Sequence, residues 1–396
     1  MPELDETLAG ELADWSIAGL RRELRRVAAT SGTRLVVEGL ELINFASNDY
    51  LGLLHHPELQ EAAVRALRDW GSGSGASRLV SGSLALHHEL EESLAHWKGT
   101  SAALTFGSGY ATALGVIPAL LGSDDVVILD KRVHACCVDG ARLSKATLRV
   151  FRHNDLESLE DVLKWADQRR GSGKSRILIV TESVFSMDGD QAPLPGIVQL
   201  KDRYGAWLMV DEAHALGLFG TARSGLIRAL ELDAHVEIQM GTLGKALASA
   251  GGYVAGSRAL IDFLIHRARS FMFSTAPAPA AVASAQAALK LIQGSEGAQR
   301  CSQVWAIARQ LAAKLQPGRP PTSAILPLIL GPADAAMVAA ARLRSQGIWV
   351  PAIRYPTVAR DSARLRFSVT AGHELTDLQC LLEVLPAGSN LTAAEA

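Results

Sequence analysis

Cysteine is scarce in this chain. Four occur in 396 residues, at positions 136, 137, 301 and 380, and no Cys-x-x-Cys pair is present. Neighbouring cysteines almost never bridge each other, so neither a disulfide framework nor a zinc site is expected, and no metal. Such usage fits a reducing cytoplasm. No sign of charge dominates either. A net charge of −2, with 20% charged residues, removes any bulk electrostatic case for nucleic acid or membrane partners. No run approaches the roughly 20 apolar residues that span a bilayer. The acidic start MPELDETLAGELADW lacks the basic and apolar segments of a secretory signal. No internal repeat is visible.

What is present is ample apolar material, 48% of the chain, on a length suited to one large domain and a smaller one. The reading divides the chain into 1–47, a helix and short strand; 48–280, a large α/β domain; and 281–396, a smaller α+β domain. Residues 17–29 (IAGLRRELRRVAA) read as an amphipathic helix. A strand near 42–45 and the polar turn Ser47-Asn48-Asp49 follow. Short apolar runs at 102–106, 126–129, 177–180, 207–210 and 236–240 read as strands, with helical stretches such as 156–165 and 196–204 between them. Apolar strands alternating with helices predict a mainly parallel sheet covered on both faces, with functional residues just past the carboxyl ends of the strands. Beyond 280, alanine-rich helices (281–293, 301–315) lead to strands near 325–330, 349–353 and 364–369, read as an antiparallel sheet. The tail AGSNLTAAEA is expected to fray. Gly171-Ser172-Gly173-Lys174-Ser175 imitates the end of a nucleotide loop. Gln168 stands where that motif needs glycine, and a strand follows where it needs a helix, so it reads as a surface turn.

Four strand ends carry the chemistry. Leu208-Met209-Val210-Asp211-Glu212-Ala213-His214 puts a carboxylate directly after a buried strand, where it needs a cationic partner. A protonated pyridine nitrogen is one such partner; a plain helix cap by Asp211 fits as well. Gly241-Thr242-Leu243-Gly244-Lys245 sets a lysine in a small turn after a strand, able to approach a cofactor and form a Schiff base, with the Thr242 hydroxyl near enough for a phosphate. Alone, such a string is more commonly a solvated surface lysine. Phe106-Gly107-Ser108-Gly109-Tyr110 runs from a strand into a helix start and makes a phosphate cradle, or an ordinary βα turn. Asp130-Lys131-Arg132-Val133-His134 offers a histidine that can stack on a ring and move protons, or a structural one. The order is more telling than any piece: phosphate turn, stacking histidine, pyridine aspartate, Schiff-base lysine. It points to pyridoxal 5′-phosphate (PLP).

With these motifs the chain resembles the α-oxoamine synthases, PLP-dependent transferases of the aspartate-aminotransferase-like fold (fold type I), from about residue 20 to 385. The resemblance is carried by Ser47-Asn48-Asp49-Tyr50-Leu51-Gly52-Leu53, the run GSGSGASRLVSGS at 71–83, Thr181-Glu182-Ser183-Val184-Phe185-Ser186-Met187-Asp188-Gly189-Asp190, Val210-Asp211-Glu212-Ala213-His214 and Thr242-Leu243-Gly244-Lys245. It implies that Lys245 binds PLP covalently, Asp211 pairs with the pyridine nitrogen, His134 stacks on the ring and also meets substrate, and His214 bonds the phenolic oxygen with Ser186 nearby. Lys245, His134, Asp211 and His214 are then the catalytic set. Gly109, Tyr110 and Thr242 would hold the phosphate side, and Ser274 and Thr275 would reach the partner's phosphate in a homodimer. Asn48, Thr357 and Arg366 would meet substrate, Arg366 as a bidentate match for a carboxylate. Of Arg21 and Arg22, the latter is favoured as a further substrate contact. Cys136 departs from the pattern, since serine is usual after the stacking histidine.

Within the family, the strings Ala352-Ile353-Arg354-Tyr355-Pro356-Thr357-Val358 and Ala363-Arg364-Leu365-Arg366 resemble the members of biotin biosynthesis. These condense L-alanine with a pimeloyl thioester, of CoA or an acyl-carrier protein, with loss of CO2. Glycine-using relatives are the nearest alternative. A non-catalytic partner subunit would be expected to have lost the lysine, and a transcription factor would need a DNA-binding segment for which there is no room before residue 40.

Overall fold

The computed structural model of the chain describes residues 2–170, 173 and 175–385. The string at 171–175 is therefore described only in part, and the tail at 387–396 lies outside the described residues. In chain order the strands are β1 Val27–Ser31, β2 Arg34–Val37, β3 Leu40–Asn44, β4 Ala102–Phe106, β5 Val126–Asp130, β6 Thr147–Phe151, β7 Ile177–Glu182, β8 Trp207–Asp211, β9 Ile238–Thr242, β10 Gly252–Gly256, β11 Ile325–Gly331, β12 Ile348–Trp349, β13 Ala352–Ile353 and β14 Ala363–Ser368. Chain contacts group these into two compact units, 48–304 and 1–47 with 305–396. The helix Pro279–Gln293 thus belongs with the larger unit, packed on the helix Pro57–Trp70.

The larger unit holds a seven-stranded sheet in the order β4-β10-β9-β8-β7-β5-β6. It is parallel from β9 through β6, and β10 alone runs antiparallel to both its neighbours. Successive side chains of one strand enter two different cores. Val127 and Leu129 pack with Phe106, Ile117 and Met240, while Val126 and Ile128 pack with Phe151, Leu163 and Leu208. A period of two with both faces buried is why these strands read as unbroken apolar runs. Strands β6 and β10 escape such a reading. The first, TLRVF, is half-exposed, and the second, GYVAG, is rich in glycine. The sheet is nonetheless mainly parallel, as expected. Its carboxyl edge gathers Asp130, Glu182, Asp211 and the turn after Thr242.

Behind that edge lies a charge pair out of water. Lys98 and Glu212 are both fully buried and bonded to each other. Lys98 also donates to Ser224 O at 2.6 Å, and Glu212 accepts from Ile227 N at 2.9 Å. Gly225 has φ +120, and a Cβ there would run into the Glu212 carboxylate. The GSGSG run is no flexible linker. Ser74 Oγ donates to Pro277 O at 2.7 Å, Ser77 bridges Thr275, and Arg78 forks onto Glu91 at 2.7 and 2.9 Å.

The smaller unit joins the two ends of the chain. Its first sheet has the order β1-β2-β3-β12, with β12 parallel to β3; its second, β11-β14-β13, is antiparallel. The helix expected at 17–29 is not there. It lies earlier, at Pro2–Ile17, and stops before Gly19, whose φ is +65. Val27–Ser31 instead pairs with β2 across a turn at Gly32, φ +55, matching Val27 to Val37 and Thr30 to Leu35. Gly19 ends the helix, residues 20–26 form neither helix nor strand, and pairing with β2 takes the chain from Val27 onward. None of the described helices is long and apolar enough to cross a membrane.

Replacing Lys98 by Met leaves the Glu212 charge buried and unpaired. Such a break costs about 3–5 kcal/mol. Denaturant unfolding should show a loss of that size, partly recovered by adding Glu212→Leu. A Lys98→Met loss within ~0.5 kcal/mol would refute the assignment.

Candidate active site

At the carboxyl edge a cavity of about 170 Å³ is lined by Gly109, Tyr110, His134, Cys136, Glu182, Asp211, Ala213, His214, Met240, Thr242 and Lys245. Seven residues picked out from the sequence therefore meet in one place: Gly109, Tyr110, His134, Asp211, His214, Thr242 and Lys245. A larger cavity, about 600 Å³, lies at the opposite edge beside Trp207, Ile238 and Phe263 and holds none of them. Chemistry, not volume, identifies the smaller one.

Lys245 Nζ is 2.8 Å from His214 Nε2, and His214 Nδ1 is 2.6 Å from Tyr50 Oη. Tyr50 Oη donates to Asn48 Oδ1 at 3.3 Å. An amide oxygen can only accept, so one set of protons satisfies the line: Tyr50 gives to Asn48, Nδ1–H gives to Tyr50, and Nε2 accepts from Lys245. Tyr50 is fully buried. Tyr50 stands within the motif at 47–53, two residues after Asn48, and nothing local in the sequence marks its reach to His214. The lysine turn is held by Thr242, whose hydroxyl donates to Gly251 O at 3.1 Å and accepts from Gly244 N at 3.2 Å. Its only proton is therefore engaged, and bonding a phosphate would require it to turn away from Gly251.

Two carboxylates face each other at adjacent strand ends, Glu182 of β7 opposite Asp211 of β8. Burial, opposed by Lys245, raises the Asp211 carboxyl. Burial and then repulsion from Asp211 push Glu182 up to about 8. Asp211 Oδ1 accepts from Ala213 N at 2.9 Å, and Glu182 Oε2 from Ser186 N at 3.2 Å, while Glu182 Oε1 is buried without a partner. An orphaned oxygen and a desolvated aspartate are what a cationic, polar ligand would relieve. PLP fits this demand: a pyridinium for Asp211, an aldehyde for Lys245, and a phosphate for the start of the helix Gly109–Leu120. There Ser108 caps Ala111 N at 3.0 Å and Gly109 backs onto Thr242. The approach is close; a Cβ at Gly252 would meet Gly109 N at 2.6 Å.

His134 caps the helix Ala135–Leu143, and its Nδ1 lies 3.3 Å from Cys136 N and 3.0 Å from Cys136 Sγ. The bond to Cys136, against burial, raises the imidazole. The turn leading to it hangs on Asp130, which accepts from Arg132 N at 2.8 Å and meets His153 Nδ1 at 2.9 Å. His153 Nε2 reaches Asp190 at 2.7 Å, so one imidazole ties the His134 turn to the loop carrying Ser186. Ser186 is buried beside Glu182 and is not among the residues lining the cavity. Thr275 is not on the wall either; it bridges Ser77. Tyr110 turns its hydroxyl to Asp139 at 2.5 Å. In the smaller unit, Arg22 donates to Thr357 Oγ1 at 3.3 Å, and Arg366 is buried on β14, donating to Ser368 Oγ at 2.7 Å.

The model of the aminotransferase class I and II family matches residues 41–385. The chain belongs to that family. It is 47% identical over 380 residues to an 8-amino-7-oxononanoate synthase of Geobacter sulfurreducens, covering 95% of this chain and 96% of that one. A second such synthase, from Herminiimonas arsenicoxydans, is 44% identical over 96% of this chain and 99% of its own length. Among solved structures, a lysine-to-alanine variant of a serine palmitoyltransferase of S. paucimobilis with a bound PLP–myriocin aldimine superposes with TM-score 0.89 at 28% identity, covering 96% of this chain and 95% of that one. An 8-amino-7-oxononanoate synthase of Francisella tularensis gives 0.73 at 28% identity, covering 87% and 96%. The fold is therefore that of PLP-dependent enzymes, α/β with a mainly parallel sheet, and PLP is the cofactor.

His153 gives this site a pH signature. Burial lowers it, but Asp130 and Asp190 together outweigh burial and hold it up at about 9. Its value when unfolded is about 6.5. A group raised on folding contributes fully below its unfolded value, and that contribution is lost as pH rises through the folded one. The Tm advantage of the natural chain over His153→Gln should be widest near pH 6 and closed by about pH 10. A constant gap across that window would show that the charge is not the cause.

Proposed function

We infer that this chain carries 8-amino-7-oxononanoate synthase activity, joining L-alanine to a pimeloyl thioester with release of CO2 and thiol. The observation that carries this reading is the 47% identity over 95% of the chain to a synthase of that name. Fold likeness alone does not choose the substrate, since a serine palmitoyltransferase superposes better than a synthase of that name. PLP supplies an aldehyde that condenses with an amine and a ring that accepts the electron pair left at the amino acid Cα. Lys245 holds the cofactor and is the base that moves the Cα proton. His214 orients Lys245 through the tautomer that Tyr50 and Asn48 impose. With PLP bound, Asp211 would keep the pyridine nitrogen protonated and His134 would contact the ring. Gly109, Tyr110 and Thr242 serve the phosphate. Arg22, Asn48, His134, Thr357 and Arg366 serve the substrates. The active assembly is a homodimer in which Thr275 and Ser274 serve the partner's phosphate.

Crossing L-alanine, glycine and L-serine with pimeloyl, acetyl and palmitoyl thioesters tests the reading. Alanine with the pimeloyl thioester should lead. One methyl against glycine is worth about 10–200-fold in kcat/KM. Glycine with acetyl-CoA in first place would overturn the assignment. Separately, Lys245→Ala should retain no cofactor after borohydride reduction and denaturation, and should lose at least ~10²-fold in turnover.

A further inference from the structure

Cys136 is only 2% exposed, yet it forms part of the cofactor cavity wall. It is the second residue of a nine-residue helix, at the positive end of its dipole. The His134 imidazole stands 3.0 Å from its sulfur. On the wall of the same cavity, Glu182 Oε1 is buried and without a partner, so the wall still has a polar group to offer a ligand. Cys137 is buried in the core and takes no part in the wall, and Cys301 and Cys380 lie elsewhere. The serine that the family resemblance leads one to expect at 136 would not react as a thiol does.

We propose that Cys136, paired with His134, is a covalent capture site for small α,β-unsaturated carbonyl compounds, and that such an adduct and PLP exclude each other from the cavity. His134 takes the thiol proton, and the sulfur electron pair forms a bond to the β-carbon. The displaced π pair moves to the α-carbon, which receives the proton back from His134. Nothing leaves, and no oxidant or reductant is consumed. The surroundings favour the thiolate. Cys137 and His134 hold the Cys136 thiol down to about 6, against its burial and the opposing charge of Asp211. Around Cys136 stand Cys137 and His134 on its own segment, Asp211 and Glu182 from the strand ends, Lys245 from the turn after β9 and Tyr110 from the neighbouring helix.

The test uses N-ethylmaleimide on the full-length chain, before and after PLP removal, with all four cysteines followed by peptide mass spectrometry. In the cofactor-free chain, Cys136 should be labelled at a rate nearly flat above pH ~7, whereas a free thiol in the same tube keeps accelerating to about pH 8.5. His134→Gln should slow labelling at Cys136 and not at the exposed Cys380. PLP at ten times its Kd should slow Cys136 about tenfold and leave Cys380 unchanged. A fully labelled chain should take up no PLP, read by cofactor absorbance, while maleimide-treated Cys136→Ser takes it up normally. Cys136 unlabelled while Cys380 reacts, a rate that tracks the free thiol, or undiminished PLP uptake after complete labelling would each overturn the proposal. The shielding arm rests on PLP occupying this cavity. A chain that never takes up PLP would overturn that reading, and the labelling pattern would still decide the thiol.

Discussion

Two carboxylates held out of water at neighbouring strand ends set the terms for this molecule. Glu182 and Asp211 are opposed by the register of β7 and β8, and burial raises both. A buried negative pair is tolerable only with positive charge or protons close by. The cavity supplies Lys245 and His134 on the protein side and room for a cationic ring. One residue beyond Asp211, Glu212 points to the other side of the turn and is neutralised separately by Lys98. Splitting these charges leaves Asp211 on the cavity wall while Glu212 serves as an anchor.

The rest of the large unit reads as the means of keeping that arrangement rigid. Parallel strands buried on both faces bring their carboxyl ends to one edge, so residues far apart in sequence become neighbours. Small residues let backbones close around the cavity. Gly252 passes against Gly109, and Gly241 faces the Tyr253 ring, positions where a Cβ would collide. Side chains outside the cavity then aim those on its wall: Tyr50 fixes the His214 tautomer, and His153 ties two loops together.

The reactive groups were legible because each obeys a local rule. Asp211 closes β8, and His134 and Lys245 come a few residues after the ends of β5 and β9, where a polar residue has few structural uses. Tyr50, Glu182 and His153 were not given roles because their importance lies in what they touch. Tyr50 reaches His214, 164 positions away, and no pattern within one segment encodes such a contact. The misplaced first helix has a similar origin. Residues 17–29 have helical composition, but partners in β2 claim Val27–Ser31 for a sheet.

By itself, then, the amino-acid order determined the alternation of strands and helices and, through the order of its strand-end turns, the cofactor class. These follow from hydrophobic period, turn composition and residue chemistry, all of which act over a few positions. Tertiary structure alone decided that β10 runs against its neighbours, that both chain ends form one unit, and that Cys136 lines the cavity while Cys137 does not. These depend on pairing and burial between distant segments, where the free energy belongs to the contact and not to either sequence alone.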